Sequence, residues 1–178
     1  DLAQWRTQIQ SNEDFLFLLE LYEEYKNSLS EKPPRTDLSL LQHDTLEYLV
    51  HSDNAQNVFR HVVIDEYQDT NTVQEKIVFE LAKGYKNLCV VGDDDQALYR
   101  FRGATVENFV RFPDRVRSYL DTAVTEIPLS VNYRSQKAIV DTYCRYMSSD
   151  IWQDSDSGRS CRVDKNISAC RAGGTPVG

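Results

Sequence analysis

The chain lacks any run of about eighteen uninterrupted apolar residues, the length a membrane-spanning helix needs. Its N-terminus also lacks the basic-then-apolar order of a secretory signal. No membrane association is expected, and the cytoplasm is the expected setting. Cysteine is sparse and scattered: Cys89, Cys144, Cys161 and Cys170 form no C-x-x-C pair and have no histidine at ligand spacing, so neither a zinc site nor a disulfide framework is indicated. Cys89, inside the apolar "LCVV", reads as a small core residue. The Asn166-Ile167-Ser168 triplet fits a glycosylation acceptor, but without an export signal it carries no weight. Positive charge is in deficit, with a net charge of −8, so the protein cannot coat nucleic acid through its global field; a local basic strip still could. Methionine occurs once, at Met147, in a chain that begins at Asp1, and the expectation is a piece of a longer polypeptide.

What is present is a foldable chain of 178 residues with 40% hydrophobic content, enough for one domain or one domain plus part of another. Phe15, Leu18, Tyr22, Tyr25 and Leu29 recur at helical spacing over residues 11 to 30, with Ser11 and Asp14 as a cap. The prolines of "SEKPPRTD" end that helix, and a second follows near 37 to 51, with Leu38, Leu41 and Leu49 expected inward. From about residue 58 short apolar runs alternate with helical stretches: "VFRHVVID", "TVQEKIVFELAKG", "NLCVVGD". Thr72 and Glu75 have capping-box spacing and Gly84 reads as a helix stop. The two strands, apolar on both faces, predict a parallel βαβ unit covered by helices. A helix near 105–117, a strand near 124–131 and a helix over 135–147 continue the alternation; after Ser148 the chain reads as an aperiodic polar tail.

Both central strands end in acid, at Asp65-Glu66 and at Asp93-Asp94-Asp95. In open α/β sheets ligands bind outside the carboxyl ends of the strands, so these acids are expected on one functional edge. Carboxylates there suit magnesium, which takes oxygen ligands and shares its shell with phosphates. Four hydrophobics followed by Asp is the Walker B pattern of nucleoside triphosphatases, approached here by Val62, Val63 and Ile64 before Asp65; an adjacent glutamate can activate water as general base. A two-metal nuclease or phosphatase built on Asp65, Glu66 and Asp93 to Asp95 is an alternative use of the same acids.

Three longer stretches carry a resemblance. "VVIDEYQDTNTVQ", "VVGDDDQALYRFRGA" and "LSVNYRSQKAI" resemble motifs II, III and IV, in that order, of the UvrD/Rep (PcrA-like) family of superfamily 1 ATP-dependent DNA helicases. The resemblance runs from about residue 15 to about 147; near its start "TDLSLL" replaces the family's acidic "DFDDL". It implies an α/β fold, part of a RecA-like P-loop NTPase motor domain with a parallel sheet and flanking helices. Residues 1–52 would close an inserted helical subdomain, 53–128 end the first RecA-like domain, 129–147 begin the second, and 148–178 form a polar tail. It further implies Asp65 on magnesium, Glu66 as the base, Gln96 as γ-phosphate sensor, Tyr133 stacked on adenine and Arg134 on the γ-phosphate. ATP and Mg2+ would be the cofactors, single-stranded DNA and duplex junctions the partners, and DNA repair a typical setting.

The segment "ALYRFRGATVENFVRFPDRVR" carries Arg100, Arg102, Arg111, Arg115 and Arg117 with Tyr99 and Phe101 interleaved, which suits stacking of bases and holding of phosphates. Tyr99, Phe101 and Arg102 are the expected DNA contacts; the resemblance places Phe101 where the family usually has tryptophan. No G-x-x-x-x-G-K-S/T loop is present, so there is no nest of backbone donors and no lysine for the β- and γ-phosphates. The chain alone is therefore expected not to hydrolyse ATP, the missing remainder of the polypeptide being a required partner. A non-catalytic DNA- or protein-binding module that keeps a motor's shape is the other alternative.

Overall fold

In the computed structural model, residues 13–52, 54–97, 109–149 and 162–171 are described. They divide into two units, residues 1–45 and 46–178. In the first, α1 (Glu13–Ser30) matches the periodic segment, yet none of its residues is buried and Phe15, Leu18, Tyr22 and Tyr25 are exposed. After the prolines Asp37 accepts the N–H of Leu40 at 2.7 Å, the bond that opens α2 (Leu38–His51). Leu40 and Leu49 are the buried leucines of α2; Leu38 and Leu41, expected inward, are 78% and 50% exposed. The boundary between the two units falls inside α2, so Leu40 lies in the first and Leu49 in the second.

In the second unit, β1 (Val62–Ile64), α3 (Thr72–Ala82) and β2 (Leu88–Val90) form the expected parallel βαβ unit, paired Val62↔Leu88, Val63↔Cys89 and Ile64↔Val90. The core on one face consists of Val62, Tyr67, Val78, Phe79 and Ala82 with Phe112, Val116 and Leu120 of α4 (Phe112–Leu120). Because successive strand residues face opposite sides, Val63, Cys89 and Val91 point away from α3 and α4 and are exposed. The expectations of helices on both faces and of a core Cys89 are thus corrected among the described residues: both neighbouring helices contribute to the same core.

The start of α3 is shifted by one residue from its expected cap. Asn71 Oδ1 accepts the N–H groups of Val73 and Gln74, and Gln74 reaches back to the Asn71 N–H, so the box is Asn71/Gln74 rather than Thr72/Glu75. The helix ends at Ala82 with Lys83 as C-cap. Gly84 follows directly after that cap, at the expected stop, and a Cβ there would lie 2.1 Å from the Gln56 carbonyl oxygen, so close backbone approach also requires the glycine.

The strand expected near 124–131 lies later. Residues 121–130 carry no regular structure and β3 runs Val131–Gln136, followed by α5 (Lys137–Ser148). Pro128, which has no N–H to donate, is poorly suited to a ladder. Within the stretch expected as a tail, Ser168–Arg171 form β4, parallel to β3. The remainder of that stretch from residue 150, apart from 162–171, lies outside the described residues.

Candidate functional site

Because β1 and β2 are parallel neighbours, their carboxyl ends and the acids that follow lie at the same end of the pair. The chain leaves β1 through Asp65, whose exposed carboxylate accepts only the N–H of Glu66, at 3.0 Å, among the described residues. Glu66 then turns left-handed, with φ 51° and ψ 44°, a conformation that costs a non-glycine residue about 1–2 kcal/mol. That turn drives Tyr67 and Gln68 inward and leaves the Glu66 side chain exposed.

Gln68 is 2% exposed and joins the two strand ends. Its nitrogen donates to Glu66 Oε2 at 2.7 Å and its oxygen accepts the Asp93 N–H at 3.0 Å. Gly92 makes room for this link, since a Cβ there would sit 2.6 Å from Gln68 Oε1 and 2.7 Å from the Phe109 ring. Tyr67, fully buried, donates its N–H to the Val91 carbonyl and its hydroxyl to Glu75 at 2.7 Å. Burial pushes the Tyr67 phenol well above its ordinary range, so the hydroxyl stays a donor. Glu75, 0% exposed, is neutralised by Arg115, whose Nε lies 2.7 Å from both its carboxylate oxygens. Arg115 therefore holds the fold and is withdrawn from the arginines expected to meet phosphates.

The second acidic turn is a 3-10 helix, Asp94–Gln96, opened by Asp93. Gln96 is exposed and its nitrogen donates to Asp93 Oδ2 at 2.8 Å. The three aspartates meet cations from the segment before β4. Arg162 binds Asp95 through Nε at 2.7 Å and Nη2 at 3.0 Å, and Lys165 Nζ contacts Asp93, Asp94 at 2.5 Å and Asp95 at 3.0 Å. Tyr143 of α5 donates its hydroxyl to Asp95, and the Val163 N–H donates to Asp94 at 2.8 Å. Burial raises the Asp95 carboxyl, but hydrogen bonds from Arg162, Tyr143 and Lys165 outweigh it and hold it down at about 2. The same burial opposes charge on Lys165, and the three aspartates overcome it and raise its pKa. No group of three or more His, Cys, Asp or Glu side chains suited to a metal occurs among the described residues. The aspartate turn is thus an ion-paired junction, and a two-metal carboxylate cluster finds no support there.

Tyr133 and Arg134 stand exposed on β3, apart from the β1–β2 pair. Asn132 shapes their backbone by accepting the N–H groups of Arg134 at 2.9 Å and Ser135 at 2.8 Å. Tyr99, Phe101 and Arg102 lie outside the described residues. Asp69 does not cap α3; its Oδ1 is buried without a hydrogen-bond partner. Gln68, Arg162, Lys165 and Tyr143 were not expected at the site. The one available signal was electrostatic: three consecutive aspartates at an apolar strand's end call for nearby positive charge.

These features define an α/β protein with parallel strands ending in acids. The chain belongs to the UvrD/REP helicase family: the family's N-terminal domain model matches residues 2–117. It is 34% identical over 153 residues to a probable DNA helicase II homolog of Rickettsia conorii, covering 80% of this chain and 23% of that protein. It is 38% identical over 110 residues to the ATP-dependent DNA helicase PcrA of Bacillus subtilis, covering 58% and 14% respectively. With PcrA of Staphylococcus aureus the identity is 45% over 86 residues, 48% of this chain and 11% of the relative. The chain thus spans well under a third of each of these relatives.

Proposed function

We propose that this chain is a motor segment of an ATP-dependent DNA helicase, with residues 53–128 in the first RecA-like domain and β3 and α5 opening the second. In the complete motor, ATP hydrolysis with magnesium drives movement on single-stranded DNA and at duplex junctions, in a cytoplasmic, DNA-repair setting. The observation that carries this reading is the Gln68 link: it makes the acidic ends of two adjacent parallel strands, the stretches resembling motifs II and III, one braced edge.

Asp65 fits a single-carboxylate contact to hydrated magnesium, since it is exposed and one of its oxygens has no partner among the described residues. The ion, when bound, neutralises phosphate charge. Glu66, oriented by Gln68, takes the proton of the attacking water; its left-handed backbone is the kind of strain that accumulates at working sites. Gln96 senses the γ-phosphate, Arg134 counters its charge and Tyr133 stacks on adenine. Tyr99, Phe101 and Arg102 hold single-stranded DNA. Without a phosphate-binding loop the chain alone is inactive.

The test is Phe101→Ala in the full-length helicase. DNA-stimulated ATP hydrolysis falls while basal hydrolysis persists; equal loss of both, or no loss, contradicts the DNA role. Metal-dependent DNA cleavage without nucleotide would instead favour the nuclease reading.

A further inference from the structure

The junction between the aspartate turn and the β4 segment has a use beyond holding the chain together. Asp93 divides its carboxylate: Oδ1 accepts the Asp95 N–H at 3.2 Å and the Lys165 ammonium, while Oδ2 accepts the Gln96 amide at 2.8 Å. An ionised carboxylate offers no donor, so the Gln96 amide must present its nitrogen to Asp93. Its oxygen and second N–H are left for the exposed side. The side chain of Asp93 is 30% exposed, whereas those of Asp94 and Asp95 are 1% and 3% exposed. Three carboxylates in one turn repel each other, and Lys165 touches all of them.

We propose that Lys165 is a positioning residue for Gln96: by anchoring Asp93 it fixes the carboxylate that holds the Gln96 amide in its outward orientation. The proposal rests on the reading of Gln96 as nucleotide sensor and names the group that keeps the sensor aimed. Arg162 and Tyr143 anchor the neighbouring Asp95 and so keep the turn in register. The anchor comes from a segment 72 residues further along the chain, so the sensor's orientation reports whether the β4 segment is docked.

The test uses this chain without nucleotide, reading the Gln96 side-chain amide resonances by NMR, assigned by their loss in Gln96→Leu. In the parent chain the two amide protons are shifted from free-amide positions by the Asp93 bond. Lys165→Met moves them to free-amide positions and Lys165→Arg restores them. Unchanged resonances in a folded Lys165→Met chain, or an Arg variant that behaves like Met, overturn the proposal. Should Lys165→Met lose its dispersed spectrum, Asp94→Asn with Lys165→Met removes the uncompensated buried carboxylate; released Gln96 resonances there support the proposal and held ones overturn it. The sensor reading fails separately, if Gln96→Ala leaves nucleotide hydrolysis by the full-length helicase unchanged while Lys165→Met still frees the amide.

Discussion

The side-chain oxygen of Gln68 accepts the backbone N–H of Asp93 at 3.0 Å, so the turns after β1 and β2 share one buried amide. Through its nitrogen the same amide orients Glu66, so a single side chain couples the two acidic strand ends.

Removing that amide leaves partly buried polar groups without partners. Gln68→Ala is expected to cost about 1–3 kcal/mol of stability in urea denaturation, the penalty of an unsatisfied buried group. Gly92→Ala should cost about 1–3 kcal/mol by overpacking against Gln68 and Phe109. A loss below about 0.5 kcal/mol in both variants would mean that the link is not made in solution.

Arg115 and Glu75 make a second test of what holds the edge. Arg115→Ala strands a fully buried carboxylate and should destabilise by about 3–5 kcal/mol, whereas Tyr67→Phe, which removes only a hydroxyl, should cost about 1 kcal/mol. A double-mutant cycle over Glu75 and Arg115 should show strong coupling; additive losses would contradict the pairing.

The aspartate turn predicts an acid-sensitive junction. The Asp95 pKa falls from 3.8 to about 2 on folding, so its stabilisation is present above the ordinary value and is lost as pH falls through the folded one. Lys165, raised on folding, contributes below its ordinary 10.5 and loses that contribution only as pH rises through its higher folded value. Denaturation midpoints should therefore drop between about pH 4 and 2, and Asp95→Asn should flatten that drop. An unchanged acid limb in the variant would contradict the assignment.

Legibility in the sequence followed local pattern. Apolar runs closed by Asp65 and Asp93 announced parallel strands with acidic ends, because burial and the strand terminus are both written within a few residues. The α3 cap was missed by one position because Asn71/Gln74 and Thr72/Glu75 share the same spacing, and only Glu75's burial against Arg115 decides between them. Gln68 sits in a polar run, where no local pattern marks a buried position. Arg162 and Lys165 were hidden in an aperiodic stretch whose contacts with Asp95 and Asp93 span 67 and 72 residues. Cys89 was misread because three-residue strands are too short to reveal which face the helices cover.

The α3 cap offers a clean local check. Asn71→Ala should cost about 1 kcal/mol through loss of the N-cap, while Thr72→Ala, at an exposed first-turn position, should fall within about 0.5 kcal/mol of the parent. The reverse order would restore the Thr72/Glu75 box.

The central claim, that the acids at the end of β1 serve nucleotide hydrolysis in a helicase motor, is met most directly by Glu66→Gln in the full-length protein. Single-turnover hydrolysis of ATP on single-stranded DNA should fall by about 10²–10⁴-fold, with ATP and DNA affinity retained. Hydrolysis within a few-fold of the parent, with both ligands still bound, would contradict it.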